Sequence, residues 1–398
     1  MNIDDLCEIL NRNENINFLA LAVTVLHANG IDACVRKCEE EGIKLEGFVL
    51  LPAHPQTGRK LTKYSFFLLN SNISVCGFDY ESKRFKKTRR LKDRLFAYRS
   101  ARKNTNTRVI YVAWTEVAFE WVNYIEKAVP NSKVCFIILD DGGGSYANKY
   151  KDELQFEIYK HPGQLKCLSI AKTWIKVTYM KMLQRSLNKN ARVVDNRIFI
   201  VEKRKNKKVF IKNEAIVKYY NMSYEKGAKA VPGAEAKLFE KAVIINTQCL
   251  EENNIIEGAI DLDIYKGLCK ELTKNGFRIV IKPHPRELHP ERYSSINGEL
   301  SLSNSFSQEL LIFRTFERPL CVISVFSSTL LNCNGLFDIP AISLAKIFKK
   351  TGKVNKTFIN QLNTFIIDYS NVIQFPNTIE EAVQLIIKYR FYEGRNVK

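Results

Sequence analysis

The 398-residue chain is poor in several things, and each shortage removes a class of protein. It has five histidines, and none lies at a metal-site spacing from a cysteine. Its ten cysteines, at 7, 34, 38, 76, 135, 167, 249, 269, 321 and 333, contain no C-x-x-C. Several, such as Cys135 and Cys321, sit inside apolar runs, where a thiol behaves as a small hydrophobe. That excludes a disulfide framework or zinc module and points to a reducing cytosol. Long apolar stretches are also missing: the longest near the start, 18–26, is too short to span a bilayer. The opening "MNIDDLCEIL" is acidic where a secretory signal would be basic. A soluble or peripheral protein is expected. Negative charge is short as well, 42 Asp and Glu against 61 Lys and Arg, giving a formal charge of +19. Such an excess predicts a polyanionic neighbour without choosing which.

What is present is an ordinary globular composition, 45% hydrophobic and 26% charged, in a chain long enough for two domains. "GFVLLPA" (47–53), "RVIYVAW" (108–114) and "KVCFIILDD" (133–141) read as short strands buried on both faces. Residues 16–28 have helical periodicity that stops at Asn29-Gly30, and 115–127 reads as a helix between strands. Doubly apolar strands separated by helices imply βαβ units and a parallel sheet. A helix is expected near 172–187, and "RIFIVEKRKNKKVFIK" (197–212) reads as two β-like runs around a basic turn. A second alternation follows: strand 242–247, helix 262–274, strand 277–282, strand 321–326, helix from 328, strand 339–343 and helix 379–392. The boundary falls near 190–240. Two such domains suggest a cleft, and ligands of parallel sheets sit beyond the carboxyl ends of the strands.

Three strand ends carry chemistry. Asp140-Asp141-Gly142-Gly143-Gly144 follows "VCFIIL". A carboxylate there can act as a general base, although Asp-Gly is also strong surface-turn chemistry. The second is "FRIVIKPHPRE" (277–287). Four of the five histidines precede proline, at 54, 161, 284 and 289. Only His284 follows a run like "FRIVI" with a lysine two residues before it. If the chain stays extended past Pro283, Lys282, His284 and Arg286 share one face, a set suited to phosphate; a rigid turn with a solvated imidazole is the alternative. His54, after "FVLLPA", also leaves a strand. The third is Ser327-Ser328-Thr329, between "CVISVF" and "LLNCNGLF". Hydroxyls at a strand-to-helix junction cap the helix, and the same geometry makes an anion site.

The order D-D-G, K-P-H-P, S-S, with "VIINTQCLEENNI" leading to "NGFRIVIKPHPRE", resembles the bacterial sialyltransferases and polysialyltransferases. The motifs run from 140 to 329, and the longest match lies around 242–287. The resemblance implies a GT-B glycosyltransferase: two Rossmann-like domains facing a central cleft, with an acceptor domain 1–235, a CMP-sugar domain 236–375 and a terminal helix 376–398. It implies inverting transfer of sialic acid from CMP-sialic acid to a glycan acceptor of capsule or lipooligosaccharide, extending to polymerisation, with no cofactor and no metal. Asp140 would be the acceptor base and Asp141 its reserve, with Gly142 and Gly143 beside the acceptor. His284 would act on the CMP phosphate, Lys282 and Pro285 would complete the pocket, and Ser327, Ser328 and Thr329 would hold the phosphate. Glu309 is a candidate for the donor ribose. Gln248 either faces the donor or caps its loop.

The basic clusters 83–103 and 202–212 suit an anionic glycan or glycolipid acceptor, or peripheral contact with the inner face of the cytoplasmic membrane. No zinc spacing or RNA-binding motif supports nucleic acid. The alternatives are a transferase using another cytidine-activated donor such as CDP-glycerol, and a non-catalytic basic protein binding nucleic acid or membrane.

Overall fold

The computed structural model describes residues 3–22, 24–52, 72–78, 108–114, 125–126, 128–129, 132–140, 174, 178, 193–204, 207–284, 287–301 and 306–393. The chain divides into two compact units. The first takes residues 1–141, 147–197 and 218–223; the second takes 142–146, 198–217 and 224–398. The expected division at 235 differs from this, because the hairpin before it belongs with the second unit.

In the first unit, α1 (Ile3–Arg12), β1 (Phe18–Leu21), α2 (Val25–Glu40), β2 (Gly47–Pro52), β3 (Ile73–Phe78), β4 (Arg108–Trp114), β5 (Ser132–Leu139) and β6 (Val193–Asn196) follow one another. The strands form one sheet in the order β3-β2-β1-β4-β5-β6, parallel throughout. Alternate residues of β1 face opposite ways. Leu19 and Leu21 join Leu6 and Leu10 of α1 in one core, while Phe18 and Ala20 join Ile31, Cys34 and Val35 of α2 in another. Helices on both faces explain why these strands are continuous apolar runs.

Residues 16–28 are a correction to the sequence reading. They form the strand β1 and then the start of α2, which Thr24 caps by accepting a hydrogen bond from the His27 backbone at 3.2 Å. The helix also runs through Asn29-Gly30 to Glu40 instead of ending there. Glycine is needed at 30 for space, not for a turn: a Cβ would lie 2.5 Å from the Tyr220 hydroxyl oxygen. The helices expected at 115–127 and 172–187 fall mostly outside the described residues.

The second unit begins with the antiparallel hairpin β7 (Phe199–Arg204) and β8 (Lys207–Lys212), as the sequence suggests. Helix α3 (Glu214–Ala228) follows, its residues 218–223 counted with the first unit. Then come β9 (Val243–Asn246), α4 (Ile260–Lys274), β10 (Ile279–Lys282), β11 (Glu299–Leu300), α5 (Gln308–Arg314), β12 (Cys321–Ser324), α6 (Ser328–Phe337) and β13 (Ala341–Ser343). Helices α7 (Ala345–Lys350), α8 (Lys356–Asp368) and α9 (Ile379–Glu393) complete it. The parallel sheet runs β11-β10-β9-β12-β13. Val243, Ile245, Ile281 and Ile323 face a core with Leu268 and Leu272 of α4 and Ala382 and Ile386 of α9. The terminal helix is thus part of this unit's core.

Chain order reverses between β9 and β12. β10 and β11 lie on one side of β9, and β12 and β13 on the other; a reversal of strand order of this kind is where parallel sheets place ligands beyond their carboxyl edge. At that edge the apolar strands turn polar. Lys282 pairs with Asn246, and Ser324 with Ser343, and all four are buried.

Candidate active site at the carboxyl edge of the second sheet

Of the connections that leave this edge, those after β9, β10 and β12 carry the candidate groups. The one after β10 carries Lys282-Pro283-His284. Lys282 is 8% exposed, and burial pushes its ammonium below the ordinary lysine range, opposed by the carboxylates of Glu309 and Glu235. His284 is half-buried. Pro285 and Arg286 lie outside the described residues, so the shared face expected of 282, 284 and 286 is traced only as far as His284. Of the other histidine-proline pairs, His289 is exposed on a 3-10 turn beside Glu291, 3.2 Å away, the solvated turn anticipated for it. His54 and His161 lie outside the described residues.

The loop after β12 carries the hydroxyl triplet. Ser327 caps α6, its Oγ accepting from the Thr329 backbone N–H at 3.2 Å and lying 3.2 Å from Thr329 Oγ1. Ser328 opens the helix with its side chain exposed, while Ser327 and Thr329 are half-buried. The N-terminal end of a ten-residue helix therefore lies at this edge with hydroxyls around it. Amide N–H groups and the helix dipole both favour an anion there.

The loop after β9 joins the other two, through residues that the sequence reading passed over or left open. Thr247 Oγ1 donates to the Glu287 carboxylate at 2.9 Å. Gln248 spends its amide on Phe326, donating to its carbonyl and accepting its N–H at 2.7 Å. Of its two sequence readings, the loop role is the one seen. Cys249 Sγ stands 3.3 Å from His284 Nδ1. The sequence singles out Cys249 only as one of ten cysteines; its position two residues beyond polar Thr247, at a strand end, is the available signal. Glu287, which donates its backbone N–H to the His284 carbonyl at 3.0 Å, could have been found as the first acid after the histidine.

Glu287 is also unusual in itself. Burial pushes its carboxyl up to about 7, against the Thr247 hydroxyl that favours the charged form. Glu252 raises it further, and Arg292 and the Tyr293 hydroxyl, 3.3 Å away, lower it. Below it, Asp261 is fully buried against Arg292 and Tyr293. Two further groups stand near Lys282. Glu309, in the first turn of α5, is 9% exposed and accepts from Asn332 of α6 at 2.9 Å. Asn246 is 6% exposed, and its amide makes no hydrogen bond at either end.

In the first unit, Asp140 follows β5 directly and is 1% exposed. The Tyr220 phenol is pushed well up, first by burial and then by the Asp140 charge, which places the two close together. Asp141, Gly142 and Gly143 lie outside the described residues. Among the described residues, no three His, Cys, Asp or Glu side chains are grouped as a metal ion requires. None of the described helices is long and apolar enough to cross a membrane. Cluster 83–103 lies outside the described residues. In cluster 202–212, Lys208 pairs with Asp368 at 2.6 Å and Lys212 with Asp338 at 2.9 Å, so part of its charge is used within the unit.

Two Rossmann-like α/β units are the kind from which GT-B enzymes are built, and this protein is a glycosyltransferase of sialyltransferase type, acting between a nucleotide-sugar donor and a glycan acceptor. Residues 80–346 match the family described as alpha-2,8-polysialyltransferase (POLYST), and the chain belongs to that family. The curated proteins contain no significant match. Among solved structures, the S. aureus MnaA–UDP co-structure is similar at 11% identity and TM-score 0.41, over 95% of this chain and 97% of that one. The Methanocaldococcus jannaschii UDP-GlcNAc 2-epimerase with UDP-GlcNAc and UDP is similar at 10% identity and TM-score 0.45, over 94% and 92%. The E. coli heptosyltransferase WaaC with ADP follows at 11% and 0.37, over 95% and 99%. At these identities and scores the likenesses carry no chemistry.

Proposed function

We propose that the protein transfers sialic acid from CMP-sialic acid, with inversion, to the growing end of a sialylated glycan of capsule or lipooligosaccharide. The observation that carries this reading is the placement of His284 and of the Ser327–Ser328 end of α6 beyond the carboxyl ends of two strands of one sheet, β10 and β12, on either side of β9. An imidazole and a hydroxyl-lined helix end suit a leaving group that departs as a phosphate monoester. The helix N–H groups stabilise charge that develops on the phosphoryl oxygens, and they are fixed before reaction. Family membership supports sialyl transfer over transfer of glycerol phosphate from CDP-glycerol.

In the proposed step, Asp140 takes the proton of the acceptor hydroxyl as its oxygen forms a bond to the anomeric carbon. The bond from that carbon to the phosphate oxygen breaks, its electron pair staying with CMP. His284, as imidazolium, gives its Nε2 proton to the departing phosphate. Solvent then takes the proton from Asp140 and returns one to His284, so charge and protons balance. Asp141 remains the reserve base. Lys282 and Glu309 serve the donor, Glu309 at the ribose. The basic clusters attract the anionic acceptor or the inner membrane leaflet.

The test is incubation of the full chain with CMP-sialic acid or CDP-glycerol and a panel of galactosides and sialosides. CMP release with elongation of a sialoside is expected. Turnover of CDP-glycerol alone would replace this reading.

A further inference from the structure

Three consecutive residues at the end of the central strand reach both of the loops assigned to the donor. Thr247 grips Glu287 on the far side of the histidine, Gln248 pins Phe326 immediately before Ser327, and Cys249 meets His284 itself. The geometry points to Thr247-Gln248-Cys249 as the positioning segment of the reaction, with the Cys249 thiol holding the His284 ring through Nδ1 in both of its charge states. This rests on the reading of His284 as the donor-side acid.

The choice of a thiol has a chemical reason. Sulfur is a weak donor through S–H and a weak acceptor through its lone pairs. The imidazolium and the neutral ring left after the Nε2 proton departs both carry a proton on Nδ1, which sulfur accepts; in the other neutral tautomer Nδ1 is bare and the thiol donates to it. The ring keeps one orientation, with Nε2 turned to the phosphate, before and after its proton leaves. A carboxylate in the same place would hold the ring too, but it would stabilise the imidazolium and raise its pKa by one unit or more. An ordinary imidazole titrates at about 6.5 and a phosphate monoester has its second pKa at about 6, so proton transfer between them is nearly balanced. A strongly anionic partner would hold the proton on the ring, which a neutral thiol does not do.

The neighbours divide the remaining work. Gln248 fixes the peptide that leads into Ser327, so it governs how the helix end meets the phosphate. Thr247 and Glu287 hold the exit of the histidine loop, with the Glu287 N–H bonded to the His284 carbonyl.

The experiment combines imidazole NMR with kinetics on the full chain. With five histidines, the His284 ring is assigned by its loss in His284→Gln. Cys249→Ala is expected to change the tautomer signature at Nδ1 and Nε2 and to lower kcat about 10- to 100-fold, with the donor KM moving about threefold or less. Cys249→Ser, which keeps a donor and an acceptor, restores kcat to within about fivefold of the wild type. Cys249→Asp raises the imidazole midpoint by about one pH unit or more and moves the pH profile of kcat with it. Gln248→Leu raises the donor KM more than it lowers kcat. The inference is overturned if the His284 ring titrates alike in wild type, Cys249→Ala and Cys249→Asp, or if Cys249→Ser is as slow as Cys249→Ala. Should His284→Ala release CMP normally, the reading of His284 as acid fails instead; the ring titration of Cys249→Asp still decides whether the thiol holds it.

Discussion

The two units carry the same strand order around the central strand, yet their carboxyl edges are built differently. In the first, the described edge offers one buried carboxylate, Asp140, beside the Tyr220 phenol. In the second, three loops are tied together by side chains, Thr247 to Glu287, Gln248 to Phe326 and Cys249 to His284, and Asn332 of α6 joins Glu309 of α5. The difference teaches where preorganisation is needed. A leaving phosphate demands several dipoles and a proton donor fixed at once, whereas removing a proton from a hydroxyl demands one base.

Substitutions break this comparison in a definite order. The largest effects are expected at the two groups proposed to react. His284→Ala should lower CMP release by two to four orders of magnitude, roughly the worth of a general acid. Asp140→Asn should lower transfer comparably while CMP still binds, because the base acts on the acceptor alone; isothermal titration with CMP checks the second half. If Asp141→Asn fails and Asp140→Asn does not, the two carboxylates exchange roles.

A middle effect is expected at Glu287, whose carboxyl is pushed up from 4.5 to about 7. The folded state therefore holds this proton where the unfolded state has lost it. Stability from this group is full below about pH 4.5 and falls as pH rises through 7. Glu287→Gln should flatten that slope and gain on the order of 3 kcal/mol at pH 8, as an upper figure, read from urea unfolding at several pH values. Asn246→Leu is a smaller stability effect of the same sign. Removing a buried amide with neither end bonded should leave the melting temperature unchanged or raise it by a few degrees, corresponding to about 1 kcal/mol. The smallest is Ser327→Ala, which loses the cap of α6 at about 1 kcal/mol and should also raise the donor KM.

Most of the second sheet was legible because its strands are unbroken apolar runs bounded by polar loops; β9, β10, β12 and helix α6 fall where periodicity puts them. Residues 16–28 misled for a local reason. "FLAL" suits helix or strand equally, and Gly30 looks like a helix stop until the Tyr220 ring packed on it is known. Strands β3 and β6 went unread: "ISVCGF" contains a glycine, and "VVDN" is four residues long. At the site, the motif residues could be named because proline, histidine and serine stand out at strand ends. Cys249 and Glu287 carry weaker local signals, a place at a strand end and the first acid after the histidine, and their roles come from contacts with residues 35 and 40 positions away, at His284 and Thr247. The two roles that the sequence leaves open for Gln248 are separated only by its contact with Phe326, 78 positions away.

The most direct measurement of the central claim is product analysis of the full chain with CMP-sialic acid and a sialylated acceptor, comparing wild type with His284→Ala. The account predicts CMP release and a lengthened sialoside with the wild type, and neither with a folded His284→Ala protein. Equal CMP release and elongation by the two proteins would contradict it.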